Sequence, residues 1–193
     1  MQIDKEHWLR ICNGDQQAYA DMYRFYYKRF YNYGRKFSDD AHLVEDAVQE
    51  ALMTVWDKRH TIASIDFAAT YFYTSFRYLL FQKLKQKQQL VSEAAIVEEP
   101  GFSVDQIIIG KETDAAMKAQ LQKALSTLTA RQREAIFLRF YEGLSYEEVA
   151  AVLGISTKAT YKIMARALGQ LRAQLSISTG LLFLLVGQLF SGR

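Results

Sequence analysis

The feature that most constrains the fold is the segment 143–172, GLSYEEVAAVLGISTKATYKIMARALGQLR. Ser145 and Glu148 have the Ser-x-x-Glu spacing of a capping box and predict the start of a first helix. Gly154 follows where a tight turn between two helices needs a residue that tolerates positive φ. Ser156 can cap a second helix that runs to the end of the segment. The segment therefore predicts a helix-turn-helix.

The two helices of this segment have different predicted faces. Small and apolar residues form the predicted buried side: Val149, Ala150, Leu153, Ile155, Ile163, Ala167 and Leu171. Hydrogen-bond donors and cations occupy the start of the second helix, and they suit base edges and phosphates in a major groove. These candidate DNA-binding residues are Lys158, Thr160, Tyr161, Lys162 and Arg166. The alternative is an ordinary helical hairpin, but the caps, the turn glycine and the basic second helix together favour DNA binding.

The rest of the chain is also predicted to be helical, which makes the expected fold class all-α. The 193 residues contain one proline, Pro100, and long apolar periodicities. The lone Cys12 excludes an internal disulfide and fits a reducing, cytoplasmic compartment. The three histidines have no metal-ligand spacing with one another or with Cys12, so we predict neither a metal nor a cofactor. The first residues lack the apolar run of a signal peptide.

Composition shifts predict two small helical domains joined by a flexible linker. Acidic residues and Pro100-Gly101 collect where the periodicity fades, with one short helical turn expected around 104–109. Residues 113–175 hold 9 Lys and Arg against 5 Asp and Glu, so the basic excess lies with the helix-turn-helix, as a phosphate-binding surface requires. The predicted parts are a first domain at 1–88, the acidic linker at 89–112, a second domain at 113–175 and an apolar tail at 176–193.

Several helices are predicted from caps and apolar spacing. Their approximate bounds are 4–12, 15–36, 41–57, 68–88, a helix from about 114, and 129–141. The helix at 41–57 has a single apolar face: Val44, Ala47, Val48, Ala51, Leu52 and Val55. Beside it lies a polar stripe at i, i+3, i+4 and i+7: Asp46, Gln49, Glu50 and Met53. A solvated acidic face is the alternative to a binding surface here.

The helix at 68–88 combines aromatic and basic residues. Its aromatic positions are Tyr71, Phe72, Tyr73, Phe76, Tyr78 and Phe81, and its cations are Arg77, Lys83, Lys85 and Lys87. No acidic residue occurs between Asp66 and Glu93. Exposed aromatics beside cations can stack unpaired bases while the cations follow the phosphates. An aromatic core helix with a basic outer face explains the same pattern, and the residues alone leave both interpretations open.

The tail contains an apolar run, Leu181 to Phe190, that is too short to span a bilayer. A patch of this size is expected to find a protein surface. One hypothesis is that the tail folds back against the domains and favours a closed state of the free protein. The other is that it extends the core of the second domain.

Four stretches together resemble the extracytoplasmic-function sigma factors of bacterial RNA polymerase, a group of the sigma-70 family. GDQQAYADMYRFYYKRFYNYGRKF resembles the start of that family's region two, and VEDAVQEALMTVWDKR its polymerase-binding helix. ATYFYTSFRYLLFQKLK resembles the promoter-melting helix. LTARQREAIFLRFYEGLSYEEVAAVLGIS is similar to region four. The resemblance implies a two-domain helical protein that is not an enzyme and that directs promoter recognition and opening.

The resemblance also implies partners and site residues. Asp46, Gln49, Glu50 and Met53 would bind the clamp helices of the largest subunit of core RNA polymerase, and the second domain would meet the flap. The segment 61–66 and the helix after it would hold the −10 element. The residues implied there are Tyr71, Tyr73, Arg77, Tyr78 and Lys83. The recognition-helix residues given above would bind the −35 element. Family members are commonly held inactive by an anti-sigma protein at the inner membrane.

Three positions depart from the family pattern. Tyr78 stands where the family usually has Asn, and Thr160 and Tyr161 stand where Val and a charged residue are common. The base sequences of the −10 and −35 elements are therefore not inferred.

The alternatives to a sigma factor are the effector half of a response regulator, a membrane-associated helical adaptor and an unrecognised enzyme. A response regulator would need a receiver domain of alternating strands and helices.

Overall fold

The computed structural model describes residues 4–62, 68–91, 101–103 and 115–175. Every regular element within these ranges is helical. The chain divides into two compact units, residues 1–100 and 101–193. The prediction of an all-α protein with two small helical domains is therefore confirmed. The alternating strands of a receiver domain do not occur in the described part of the first unit.

The N-terminal unit contains four helices. They are α1 (Lys5–Cys12), α2 (Gln16–Gly34), α3 (Ala41–Asp57) and α4 (Ala68–Val91). Aspartates cap the first three: Asp4 accepts a hydrogen bond from the His7 backbone nitrogen, Asp15 from that of Ala18, and Asp40 from that of Leu43. The bounds follow the sequence prediction closely, although α2 ends two residues before the predicted Lys36 and α4 continues three residues beyond Gln88.

Helix α3 packs against α2 and α4, and all six residues of its predicted apolar face are buried. The core between α2 and α4 is aromatic. Phe30 on α2 and Phe76 on α4 stack with their ring centroids 4.6 Å apart and an interplanar angle of 3°. Gly34 permits the close approach of α2 and α3, since a Cβ built there would lie 2.7 Å from Val44 Cγ1.

Burial also affects one cation of this unit. Lys36 follows α2 and is almost fully buried. Desolvation disfavours its charged form and lowers its pKa from 10.5 to about 8.

The C-terminal unit contains the other described helices. They are α5 (Ala115–Ser126), α6 (Ala130–Ile136), α7 (Tyr146–Leu153) and α8 (Thr157–Leu175), with a π-helical turn at Phe137–Tyr141 directly after α6. Capping boxes are present at Thr129 with Gln132 and at Ser145 with Glu148, and the second of them is the box that the sequence predicts. The sequence predicted one helix to Tyr141 and did not predict the π-helical turn.

The turn between α7 and α8 has the predicted geometry. Gly154 caps α7 in the left-handed conformation, with φ at +64°. Ser156 Oγ accepts a hydrogen bond from the Ala159 backbone nitrogen at 3.2 Å and so caps α8. The helix-turn-helix prediction is confirmed, with α8 extending to Leu175 rather than Arg172.

Part of the predicted linker belongs to the core of the second unit. Phe102 is buried, and its ring lies 5.6 Å from that of Phe137. Arg133 Nε donates a hydrogen bond to the Phe102 carbonyl at 2.7 Å. The segment 101–103 is therefore attached to the C-terminal unit, whereas the sequence had assigned it to a flexible linker. The predicted helical turn at 104–109 and the apolar run at 181–190 lie outside the described residues.

Candidate nucleic-acid and partner interfaces

The polar stripe predicted on α3 is exposed. Asp46, Gln49 and Glu50 face solvent, and Met53 is 60% exposed. They lie on the side of α3 away from its buried face, because three- and four-residue steps return to one side of a helix. Together with Thr54, Asp57 and Lys83 they line a shallow groove of about 370 Å³. An acidic groove with one exposed methionine can bind a basic protein surface that also offers apolar contact.

Helix α4 contributes cations to this acidic surface. Lys83 Nζ lies 2.8 Å from Glu50 Oε2, and Lys87 Nζ lies 2.6 Å from Asp40 Oδ2. The hydrogen bond from Lys87, followed by that from the Leu43 backbone nitrogen, lowers the pKa of Asp40. The sequence assigned Glu50 to a polymerase surface and Lys83 to a DNA surface, but it did not predict that the two residues form an ion pair.

The aromatic residues of α4 divide between core and surface. Phe72, Tyr73 and Phe76 are buried, whereas Tyr78 is 68% exposed. Tyr71 is half-buried, and its ring lies 6.2 Å from that of Phe72 in a T-shaped arrangement. The Arg77 guanidinium lies 4.1 Å from the centroid of the Phe81 ring, a cation–π contact. Tyr71, Arg77, Tyr78 and Lys83 therefore keep part of their side chains accessible to a ligand.

Tyr73 is a correction to the predicted DNA surface. Its side chain is 1% exposed, and its ring packs edge-on against Phe30 at 5.1 Å and against Tyr26 at 6.1 Å. The ring belongs to the aromatic core between α2 and α4, so it is not available to stack a base. Of the segment 61–66, Thr61 is exposed and Ile62 is buried, and residues 63–66 lie outside the described ranges.

The outer face of α8 carries most of the predicted recognition residues. Lys158, Tyr161, Lys162 and Arg166 are all exposed and follow the i, i+3, i+4, i+8 spacing of one helical face. Helix α8 contains no acidic residue, and none of these three cations forms an ion pair with a residue that the structure describes. This face presents positive charge and hydrogen-bond donors in the geometry of a recognition helix.

Thr160 is a second correction. It is 0% exposed, and its Oγ1 donates a hydrogen bond to the Ser156 carbonyl at 3.3 Å. Thr160 lies on the inner row of α8 with Met164, Ala167 and Leu171, all of which are buried. The three- and four-residue spacing of that row was visible in the sequence and could have excluded Thr160 from the DNA-facing set.

The structure also reveals an aromatic contact that the sequence did not indicate. Tyr146, the first residue of α7, stacks on Tyr161 of α8. Their rings lie on the same side of the helix-turn-helix as the exposed face of α8.

Two negative findings hold for the described ranges. They contain no group of three or more His, Cys, Asp or Glu residues that could hold a metal ion. None of their helices is long and apolar enough to cross a membrane.

Comparison with known families finds two matching regions along the chain. Sigma-70 region 2 matches residues 22–89, and sigma-70 region 4 matches residues 118–171. RNA polymerase sigma factor NccH of Alcaligenes xylosoxydans xylosoxydans is 26% identical over 184 residues, covering 91% of this chain and 96% of NccH. ECF RNA polymerase sigma factor RpoE of Cereibacter sphaeroides is 24% identical over 179 residues, covering 90% and 97% of the two chains.

Solved structures show the same fold. The sigma factor RpoE of Bartonella quintana, crystallised with the anti-sigma factor NepR, aligns with a TM-score of 0.60 at 23% identity, covering 82% of this chain and 97% of RpoE. CnrH, in complex with the cytosolic domain of CnrY, aligns with a TM-score of 0.56 at 22% identity, covering 91% of this chain and 98% of CnrH.

Regions 2 and 4 occur in one chain, in family order, on two helical units that have the family fold. The chain belongs to the sigma-70 family of RNA polymerase sigma factors, in its extracytoplasmic-function group. Sigma factors of this family are non-catalytic transcription initiation factors.

Proposed function

We propose that the acidic stripe on α3 binds core RNA polymerase and that the exposed face of α8 recognises the −35 element of a promoter. The observation that carries this proposal is the presence of both surfaces on one chain. An exposed acidic stripe lies on the region 2 unit, and a cationic face lies on α8 of the region 4 unit, a helix that contains no acidic residue. The protein would supply promoter recognition to an enzyme that performs the chemistry, and it would act in the cytoplasm.

Each surface has a specific role in this proposal. Asp46, Gln49 and Glu50 would bind basic residues of the clamp helices, with Met53 adding apolar contact, and the region 4 unit would bind the flap. Tyr71, Arg77, Tyr78 and Lys83 would bind the −10 element. Tyr73 and Thr160 have no place in it, because both are buried.

An anti-sigma protein is also among the proposed partners. The support is that one structural neighbour, RpoE of Bartonella quintana, was solved in complex with the anti-sigma factor NepR. An anti-sigma protein that covers the α3 stripe would exclude polymerase, so competition for binding between the two is the expected form of regulation.

The test is charge reversal at the centre of the stripe. Glu50→Lys should weaken binding to core polymerase by about 2–5 kcal/mol, which is at least about 30-fold in Kd, because it replaces one member of an interfacial charge pair by a like charge. Fluorescence titration of labelled protein with core polymerase measures the affinity. Circular dichroism of each variant checks that the helices are retained.

Glu45→Lys is the matched control, since it makes the same charge change on the same helix. Five residues separate the two positions, which places them about 140° apart around the α3 axis. Glu45→Lys should leave the affinity near that of the wild type. A folded Glu50→Lys protein with unchanged affinity would contradict the assignment of the stripe to polymerase.

A further inference from the structure

Two tyrosines from different helices form a stacked pair at the edge of the recognition face. Tyr146 opens α7, and Tyr161 lies in the second turn of α8. Their ring centroids are 4.3 Å apart with an interplanar angle of 17°. Tyr161 is nevertheless 51% exposed, so one side of its ring is covered by Tyr146 while the rest remains open to solvent.

The position of Tyr146 is itself fixed by neighbouring groups. The capping box of Ser145 and Glu148 fixes the first turn of α7, where the Tyr146 backbone lies. Arg139, in the π-helical turn, donates a hydrogen bond from Nη1 to the Leu144 carbonyl at 2.9 Å. Its guanidinium carbon lies 5.2 Å from the centroid of the Tyr146 ring. Tyr146 is therefore a supported ring rather than a freely rotating surface side chain.

Stacking on a fixed ring restricts the conformations of Tyr161. An exposed tyrosine on a helix would otherwise sample more than one staggered χ1 rotamer, and binding would have to select one at an entropic cost. An offset stack at this separation favours the rotamer that keeps the two rings together. The exposed ring edge and the phenolic hydroxyl of Tyr161 then point in one direction beside Lys158 and Lys162.

We propose that Tyr146 is a positioning residue for Tyr161 and thereby a determinant of sequence preference in the −35 element. The proposal rests on the assignment of α8 to that element. Tyr161 supplies the contact, with its ring edge against a thymine methyl or its hydroxyl at a base-edge donor or acceptor. Tyr146 keeps that contact in register with one base position and itself touches no base.

The experiment uses holoenzyme, made from core polymerase and the full chain, on a promoter library randomised in the −35 element. Sequencing of the transcripts gives the base preference at each position. Tyr161→Ala should flatten the preference at one base position, and Tyr146→Ala should flatten it at the same position by about 2- to 10-fold, the range expected from removal of one stacked pair. The double variant should be no worse than Tyr161→Ala alone, because both changes remove the same positioned contact.

Two further variants separate positioning from a general structural role. Tyr146→Phe keeps the ring and should retain the wild-type preference. Glu147→Ala alters the next residue of α7, which is exposed, and should also retain it. Thermal unfolding of the region 4 unit is recorded for every variant, so that loss of stability is measured apart from loss of preference.

The outcomes distinguish this inference from the proposed function. A wild-type holoenzyme without any −35 preference would overturn the role of α8 and this inference together. A preference that disappears with Tyr161→Ala but is retained with Tyr146→Ala would overturn the inference alone, as would a Tyr146→Ala protein that is only less stable. A preference unaffected by Tyr161→Ala would overturn it as well.

Discussion

The two units present their cations in different ways. On α4 of the region 2 unit, Lys83 and Lys87 are already paired with carboxylates of α3 and its N-cap. On α8 of the region 4 unit, no cation forms an ion pair within the part of the chain that the structure describes. A cation of α8 can therefore bind a phosphate directly, whereas a paired lysine of α4 must first leave its carboxylate.

Because of this difference, DNA binding by α4 should depend on polymerase, whereas DNA binding by α8 should not. The carboxylate of Glu50 also belongs to the proposed polymerase surface. A basic residue of polymerase can therefore replace Lys83 as the ion-pair partner of Glu50, which leaves Lys83 available to DNA. The DNA contacts of the region 2 unit would then strengthen only in the holoenzyme. The contacts of α8 need no such exchange.

The largest expected effect tests whether the two surfaces belong to units that unfold independently. Phe76→Ala removes a fully buried ring that stacks on Phe30, and it should destabilise the region 2 unit by about 3–5 kcal/mol. Hydrogen exchange followed by mass spectrometry should show faster exchange in α1–α4 and unchanged protection in α6–α8.

The matched variant is Leu171→Ala, which truncates a fully buried side chain of the region 4 unit. It should destabilise that unit by about 2–5 kcal/mol and leave α1–α4 protected. If either variant accelerated exchange equally in both units, the units would not be independent and their surfaces could not be treated separately.

A smaller effect concerns the buried cation of the region 2 unit. The pKa of Lys36 is about 8 in the folded protein and 10.5 when unperturbed. Between these values the unfolded chain holds a proton that the folded chain has released, so stability rises with pH from about 8 to about 10.5. At pH 7 the lysine is charged in both states, so it contributes no dependence of stability on pH there.

Lys36→Met removes the titrating group and should therefore remove this part of the rise in stability, which amounts to up to about 3 kcal/mol. Urea unfolding at intervals from pH 7 to 10.5 measures the free energy of unfolding of both proteins. The difference between variant and wild type is the relevant quantity, because burial also raises the pKa of Cys12, which lowers stability above about pH 9 in both proteins. Parallel stability profiles would contradict the assigned pKa of Lys36.

The helical framework was largely predictable because its determinants are local. Ser145 caps the helix that the sequence assigned to it, and the single apolar face of α3 is buried as predicted. Gly154 adopts the left-handed conformation that the turn requires. Each of these features depends on residues within a few positions of one another.

The wrong predictions concern properties that depend on distant contacts or on helical phase. The burial of Tyr73 depends on aromatic residues of α2, more than 40 positions earlier, so α4 alone could not show it. Phe102 looked like a linker residue because its partner, Phe137, lies in another element. Thr160 is different: counting by about 100° per residue from Met164 would have placed it on the buried row.

The smallest expected effect tests the paired and unpaired cations directly. Arg166→Ala removes a cation that forms no ion pair with a described residue, so the magnitude of the slope of log Kobs against log salt should decrease by about 0.9 for each phosphate that is no longer neutralised. This holds for the free protein on non-specific duplex DNA and for the holoenzyme on a promoter. Lys83→Ala should leave the slope of the free protein nearly unchanged, because the Glu50 carboxylate at 2.8 Å already neutralises the lysine.

In the holoenzyme, unlike in the free protein, Lys83→Ala is expected to change the salt slope. Once polymerase binds Glu50, Lys83→Ala should reduce the slope by about as much as Arg166→Ala does. Glu50→Gln offers an independent check. In the free protein it removes the charged partner of Lys83, so adding Lys83→Ala to it should then lower the magnitude of the salt slope.

If Lys83→Ala lowered the magnitude of the slope equally in the free protein and the holoenzyme, pairing with Glu50 would not restrain Lys83. If Lys83→Ala changed the slope in neither the free protein nor the holoenzyme, Lys83 would not belong to the proposed DNA surface.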